Sequence, residues 1–190
     1  MSKRIKKITV SQIMKWEPCS RYPKERVREL IGLGRTPLQI LDFNIPADDI
    51  LWVVAHEEIV PVLLLHRLAC DFAQSVAYLN KDLRVQAALD AKRKWMRGEI
   101  SNEELDIWRD SVKDAVLDTT TYYAAYYAAE FAAKAAAEAA SRDAPRSAIL
   151  SIARFCTLIA AYLDIHTPQD SVRTIKIKLV RQLLLDMDRV

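Results

Sequence analysis

The sequence predicts an all-α protein, a multi-helix bundle with one long helix rich in alanine and tyrosine. Three observations carry this. Apolar side chains recur at three- and four-residue steps, most clearly in Val62, Leu65, Leu68, Ala69, Phe72, Val76 and Leu79, which line one face of a helix. Glycine is limited to Gly32, Gly34 and Gly98, while prolines stand where helices should begin, because proline lacks the N–H that a first turn leaves unpaired anyway. Finally, TYYAAYYAAEFAAKAAAEAA is rich in alanine, the strongest helix former, and contains neither glycine nor proline.

Reading these signals in order gives a short helix near Ser11 to Trp16, then Pro23 to Leu33 stopped by Gly34, Pro37 to Phe43 capped by Thr36, and Pro46 to His56. A longer helix is predicted from Pro61 to Leu79, ended by Asn80. Asp82 caps the next, Leu83 to Arg97, with Val85, Ala88, Leu89, Trp95 and Met96 facing inward. Lys92, Arg93, Lys94 and Arg97 are placed to complement the negative end of that helix, and Gly98 is its stop. Ser101 and Glu104 form an S-x-x-E capping box that opens the long helix, Asp106 to Ala140. Unbroken to Pro145, that helix would reach about 60 Å. The β-branched run Thr119 to Thr121 is where a bend is expected, and projection onto another chain is the alternative. Ser147 to Leu163 reads as a further helix. Thr167, Pro168, Gln169 and Asp170 open the last one, with Val172, Ile175, Leu179 and Leu183 on its buried side.

Within the alanine tract, Tyr123, Tyr127 and Phe131 form one stripe, Tyr122 and Tyr126 a second, and Glu130, Lys134 and Glu138 a charged third. The charged stripe suits a solvated face supported by i,i+4 pairing. Phenols combine apolar area with a polar tip, so half of the tyrosines are expected in the core and the others at an interface. Trp52, Tyr122, Tyr126 and Tyr127 are the candidate protein-binding residues. Residues 1–140 are read as a helical domain with a basic amino-terminal arm, and residues 141–190 as a carboxyl-terminal helical pair packing on it.

The chain carries 28 basic and 25 acidic side chains, of which ten and three fall in the first 35 residues, leaving 18 against 22. One end is therefore basic. Lys3, Arg4, Lys6, Lys7, Arg21, Lys24, Arg26 and Arg28 form a candidate patch for an acidic partner, or simply an exposed arm. Base stacking on the tyrosines is disfavoured because the tract lacks interleaved Lys/Arg. Cys19, Cys70 and Cys156 are odd in number and widely spaced, which suits a reducing compartment and indicates the cytoplasm. No apolar run has signal-peptide character or approaches the roughly 20 residues needed to span a bilayer, so no membrane association is expected.

Few groupings suggest chemistry. His56 and His66 stand ten residues apart with Pro61 between them, unlike the i,i+4 pair of a zinc-protease helix. The GLGR at Gly32 to Arg35 follows a helix and lacks a phosphate-binding lysine. Asp48 and Asp49 read as first-turn acids. His66 and Cys70 do share a face at i,i+4, an arrangement that can activate a thiol. That face borders Leu65 and Phe72, where a buried cysteine serves as a small inert hydrophobe. No catalytic residue, cofactor or metal is assigned, and the chain is read as not an enzyme.

Pro18–Cys19 after a short first helix, ILDFNIPADDILW (Ile40 to Trp52), RLACDFAQSVAYL (Arg67 to Leu79) and GEISNEEL (Gly98 to Leu105) leading into the alanine tract together resemble the alanine-rich immunity proteins of bacterial toxin–immunity loci and phage or prophage genomes. The resemblance covers roughly Ile8 to Ala140. It departs at His56 and Glu57, where the pattern has an arginine, and ends before Pro145. It implies an all-α, non-enzymatic immunity or inhibitor protein that neutralises a toxin or host enzyme by occlusion. Self-association into a homodimer through the tyrosine helix, and nucleic-acid binding through the basic segment, are the alternatives.

Overall fold

Chain order and helix signals build the architecture from the amino terminus. The structure is a computed structural model that describes residues 7–115, 134–141, 145–162 and 169–188. The amino-terminal segment is tied down by an isolated antiparallel bridge: the Ile8 N–H donates to the Arg35 carbonyl at 2.7 Å, and the Arg35 N–H to that of Ile8 at 3.0 Å. Gly34 permits this approach. Its φ is +117°, and a Cβ there would meet Lys7 Cβ at 3.3 Å and the Ile8 carbonyl oxygen at 3.4 Å.

Four short helices follow: α1 (Val10–Lys15), α2 (Lys24–Ile31), α3 (Pro37–Ile40) and α4 (Ala47–Val54). Two of them open on reciprocal capping boxes, Thr9 with Gln12 and Thr36 with Gln39. Pro23, Pro46 and Pro61 sit one residue before their helices in extended conformations, whereas Pro37 and Pro145 are first helical residues. A fixed φ near −65° serves either position, which is why proline marks the start to within one residue.

The centre is α5 (Val62–Ala77), which packs against α6 (Leu83–Met96), α9 (Pro145–Tyr162) and α10 (Gln169–Asp188). Of its predicted apolar face, Leu65, Leu68, Ala69, Phe72 and Val76 are buried, Leu79 is half-buried and Val62 is exposed at the first turn. Asp82 caps α6 by accepting from the Arg84 N–H at 2.9 Å. Gly98, at φ +73°, turns the chain into α7 (Asn102–Ala115). There the Ser101–Glu104 box forms as its spacing predicts, at 2.8 and 3.2 Å.

Residues 134–140 are helical and are labelled α8. The two ends of the predicted long helix, in α7 and α8, are thus helical, and the stretch between them with its Thr119–Thr121 run lies outside the described residues. Ala135, Ala136, Ala139 and Ala140 are all fully buried, while Glu138 is exposed and Lys134 half-buried. Alanine here lets neighbouring helices come close; of the charged stripe Glu138 faces water, and Glu130 lies outside the described residues. In α10, Leu183 is buried and Leu179 half-buried. The side chains of Val172 and Ile175, and the start at Thr167–Pro168, lie outside the described ones. Among the described residues there is no strand, and no helix is long and apolar enough to cross a membrane.

One expectation is corrected. Lys92, expected to complement the negative end of its own helix, is instead completely buried, and its Nζ donates to the Ser141 carbonyl at 2.6 Å. It therefore serves the carboxyl end of α8 rather than that of α6. Its position explains this: Lys92 lies three residues after Leu89 and four after Ala88, both on the buried face.

Candidate functional site

The short helices leave an open cleft of about 370 Å³ between α1–α4 and α9. Its walls are apolar: Ile13 from α1, Leu30 and Ile31 from α2, Phe43 from the loop after α3, Val53 from α4 and Leu150 from α9. That volume lies in the range of small-ligand and side-chain pockets. Helix α4 presents Asp48, Asp49, Trp52 and Val53 to the cleft, while Ile50, Leu51 and Val54 are buried in the core.

Around the rim, the charged groups pair. Glu17, at φ +55°, turns the chain out of α1, and the Tyr22 N–H then donates to the Cys19 carbonyl at 2.9 Å. This turn brings Arg21 and Tyr22 to α4. Arg21 Nη2 donates to Asp49 Oδ1 at 3.1 Å, and the Tyr22 hydroxyl to Asp49 Oδ2 at 2.7 Å. Burial, then the hydrogen bond to Asp49, pushes the Tyr22 phenol up to about 12, so it remains a donor across the neutral range. A hydrogen bond to Cys19 and the charge of Asp49 raise the pKa of Arg21. Lys176, almost wholly buried on α10, donates to Asp48 at 2.8 Å. Arg154, four residues after Leu150 on α9, completes the rim; it is exposed and makes no ion pair among the described residues.

Behind α4 stands an aromatic stack. The Trp16 indole lies on His56 with ring centroids 3.9 Å apart and meets Trp52 edge-on at 6.4 Å. Arg146 covers the other side, its guanidinium 5.1 Å from the Trp52 ring and donating to the Trp52 carbonyl at 2.9 Å. Burial, then the nearby Arg146 charge, lowers the His56 pKa, which favours the neutral imidazole that stacks on Trp16. Trp16 Nε1 and Arg146 Nε are buried with no acceptor among the described residues.

Trp52 is half-buried between Trp16 and Arg146 and lines the cleft. Tyr122, Tyr126 and Tyr127 lie outside the described residues, as do Lys3, Arg4 and Lys6. Lys7, Arg21, Lys24, Arg26 and Arg28 are exposed, with Arg21 paired to Asp49 and Arg26 to Glu29. Of the described candidates, only Trp52 and Arg21 are brought to one site. Tyr22, Arg154 and Arg146 were not singled out, and no local signal marks them: the first two reach the cleft only when α2, α4 and α9 assemble. Asp48 and Asp49 do occupy the first turn of α4, and each also holds a cation from elsewhere in the chain.

The His66–Cys70 pair is also resolved. Both side chains are buried, and the His66 ring packs edge-on against Trp95 at 5.2 Å. Burial pushes the Cys70 thiol up to about 11, opposite to the shift that activates a nucleophile. This has a pH consequence. A thiol raised in the folded state stabilises the fold below its ordinary value near 9, and that contribution is lost as pH rises toward 11. From pH 8 to 11 the stability advantage of wild type over Cys70→Ala is expected to shrink by about 2–3 kcal/mol. Urea unfolding of both proteins at the two pH values measures it, and an unchanged difference would mean that the thiol is open to water.

No protein-family profile, curated protein or solved structure matches this chain. Among the described residues, no group of His, Cys, Asp and Glu is arranged to hold a metal ion.

Proposed function

We propose that this chain is a non-enzymatic binding protein of the immunity or inhibitor kind, which neutralises a bacterial enzyme or toxin by occlusion, and that the cleft beside Arg21 and Trp52 receives an anchoring side chain of that partner. One observation supports this above the others: the cleft is open and apolar-walled, and its two carboxylates are already held by Arg21, Tyr22 and Lys176. Carboxylates so engaged suit a rigid receptor better than proton transfer. A concave apolar site ringed by polar groups is the geometry in which one inserted side chain contributes most of the binding energy. The sequence resemblance to immunity proteins points the same way.

The test pairs the chain with the product of its neighbouring gene. Co-expression is expected to give a one-to-one complex and to restore growth. Val53→Trp, which fills the cleft, is expected to weaken the complex at least about tenfold, or about 1.4 kcal/mol, while leaving the circular dichroism spectrum of the free protein unchanged. Absence of a complex, or full affinity in a folded Val53→Trp protein, would overturn the reading.

A further inference from the structure

The charges around the cleft do not balance, and the imbalance describes what should enter it. Arg21 is paired with Asp49, and Lys176 with Asp48. Among the described residues the remaining charged group at the rim is Arg154, a cation that forms no ion pair with any of them. It projects from α9 one turn beyond Leu150, which forms part of the apolar wall, so apolar surface and free guanidinium adjoin on one helix face. A guanidinium presents a planar fork of donors matched to a carboxylate, and its attraction strengthens where apolar walls lower the local dielectric. A neutral apolar group would fill the cleft and leave Arg154 unused, and a cation would meet repulsion there.

We propose that the cleft takes an apolar side chain accompanied by one carboxylate, presented on the partner's chain: the apolar group lies between Ile31, Phe43 and Val53, and the carboxylate pairs with Arg154. This rests on the reading of the cleft as the partner's anchoring point and adds the chemistry of the anchor.

Two short probes test it without the partner: acetyl-Leu-Phe with a free terminal carboxylate, and the same peptide as its amide. Each is titrated into the full chain while the backbone amide resonances of Val53 and Leu150 are followed. The acid is expected to bind about three- to fivefold more tightly than the amide, as suits an ion pair on an exposed arginine, with a preference that falls as salt is raised. Arg154→Gln is expected to bring the acid to the level of the amide, and Arg154→Lys to recover part of the preference, since lysine supplies charge without the fork. Arg154 is exposed, so thermal unfolding of both variants should match wild type. Equal binding of acid and amide, a preference that survives Arg154→Gln, or resonance shifts away from the cleft would overturn the proposal. If the neighbouring gene's product binds through the cleft but acid and amide do not differ, the anchor chemistry alone falls. If the acid is preferred through Arg154 and no partner complex forms, the anchor chemistry stands and the inhibitor reading falls.

Discussion

Replacing Phe72 by alanine is expected to lower the free energy of unfolding by about 3–5 kcal/mol, the range for deleting a large buried ring. Phe72 is 1% exposed and lies within α5, the helix that α6, α9 and α10 all pack against. Its neighbours along the helix face, Leu65, Leu68, Ala69 and Val76, are also buried and fixed by packing on three sides, so little can move in to fill the void. Domains of this size are stable by only about 5–15 kcal/mol, so the loss is a large share of the total. Urea unfolding monitored by circular dichroism measures it. Phe72→Leu, which keeps most of the volume, should cost less than half as much. Equal losses for the two variants would show that the ring is valued for something other than its bulk.

The same residues show which parts of the fold a linear reading can reach. Phe72 is legible because a helix repeats every 3.6 residues, and five of the seven apolar positions predicted for that face are buried. Ser101 with Glu104, Asp82 and Gly98 are legible for a related reason: a cap or a stop is decided by neighbours within four residues. The cleft is a different matter. Tyr22 and Asp49 are 27 residues apart, and Lys176 and Asp48 are 128 apart. Their pairing is a product of tertiary packing, with no signature at either end. Reading Asp48 and Asp49 as first-turn acids was locally right and incomplete, because a carboxylate that favours a helix start still has oxygens free to bind cations from another helix. Trp52 illustrates the opposite limit. Its bulk suggested an interface anchor, and in the fold its ring is half-buried between Trp16 and Arg146, so that it lines the cleft wall rather than projecting from the surface.

Lys92→Glu is expected to lower the free energy of unfolding by several kcal/mol, and the contrast with milder substitutions explains why. The Lys92 side chain is 0% exposed, its Nζ is 2.6 Å from the Ser141 carbonyl oxygen and 3.8 Å from the centroid of the Trp95 ring. Both partners favour a cation: the carbonyl belongs to the negative end of α8, and the face of an indole carries negative charge. A carboxylate in that place meets two repulsive surfaces in a site closed to water, where an uncompensated buried charge costs several kcal/mol. Lys92→Met keeps the length of the stem and removes only the ammonium, leaving the Ser141 carbonyl short of a donor, at about 1–3 kcal/mol. Lys92→Ala adds a void where the stem had packed, and should fall between the other two. The expected order of stability is therefore wild type, methionine, alanine, glutamate, read from urea unfolding at pH 7. A Lys92→Glu protein as stable as Lys92→Met would mean that this lysine reaches solvent.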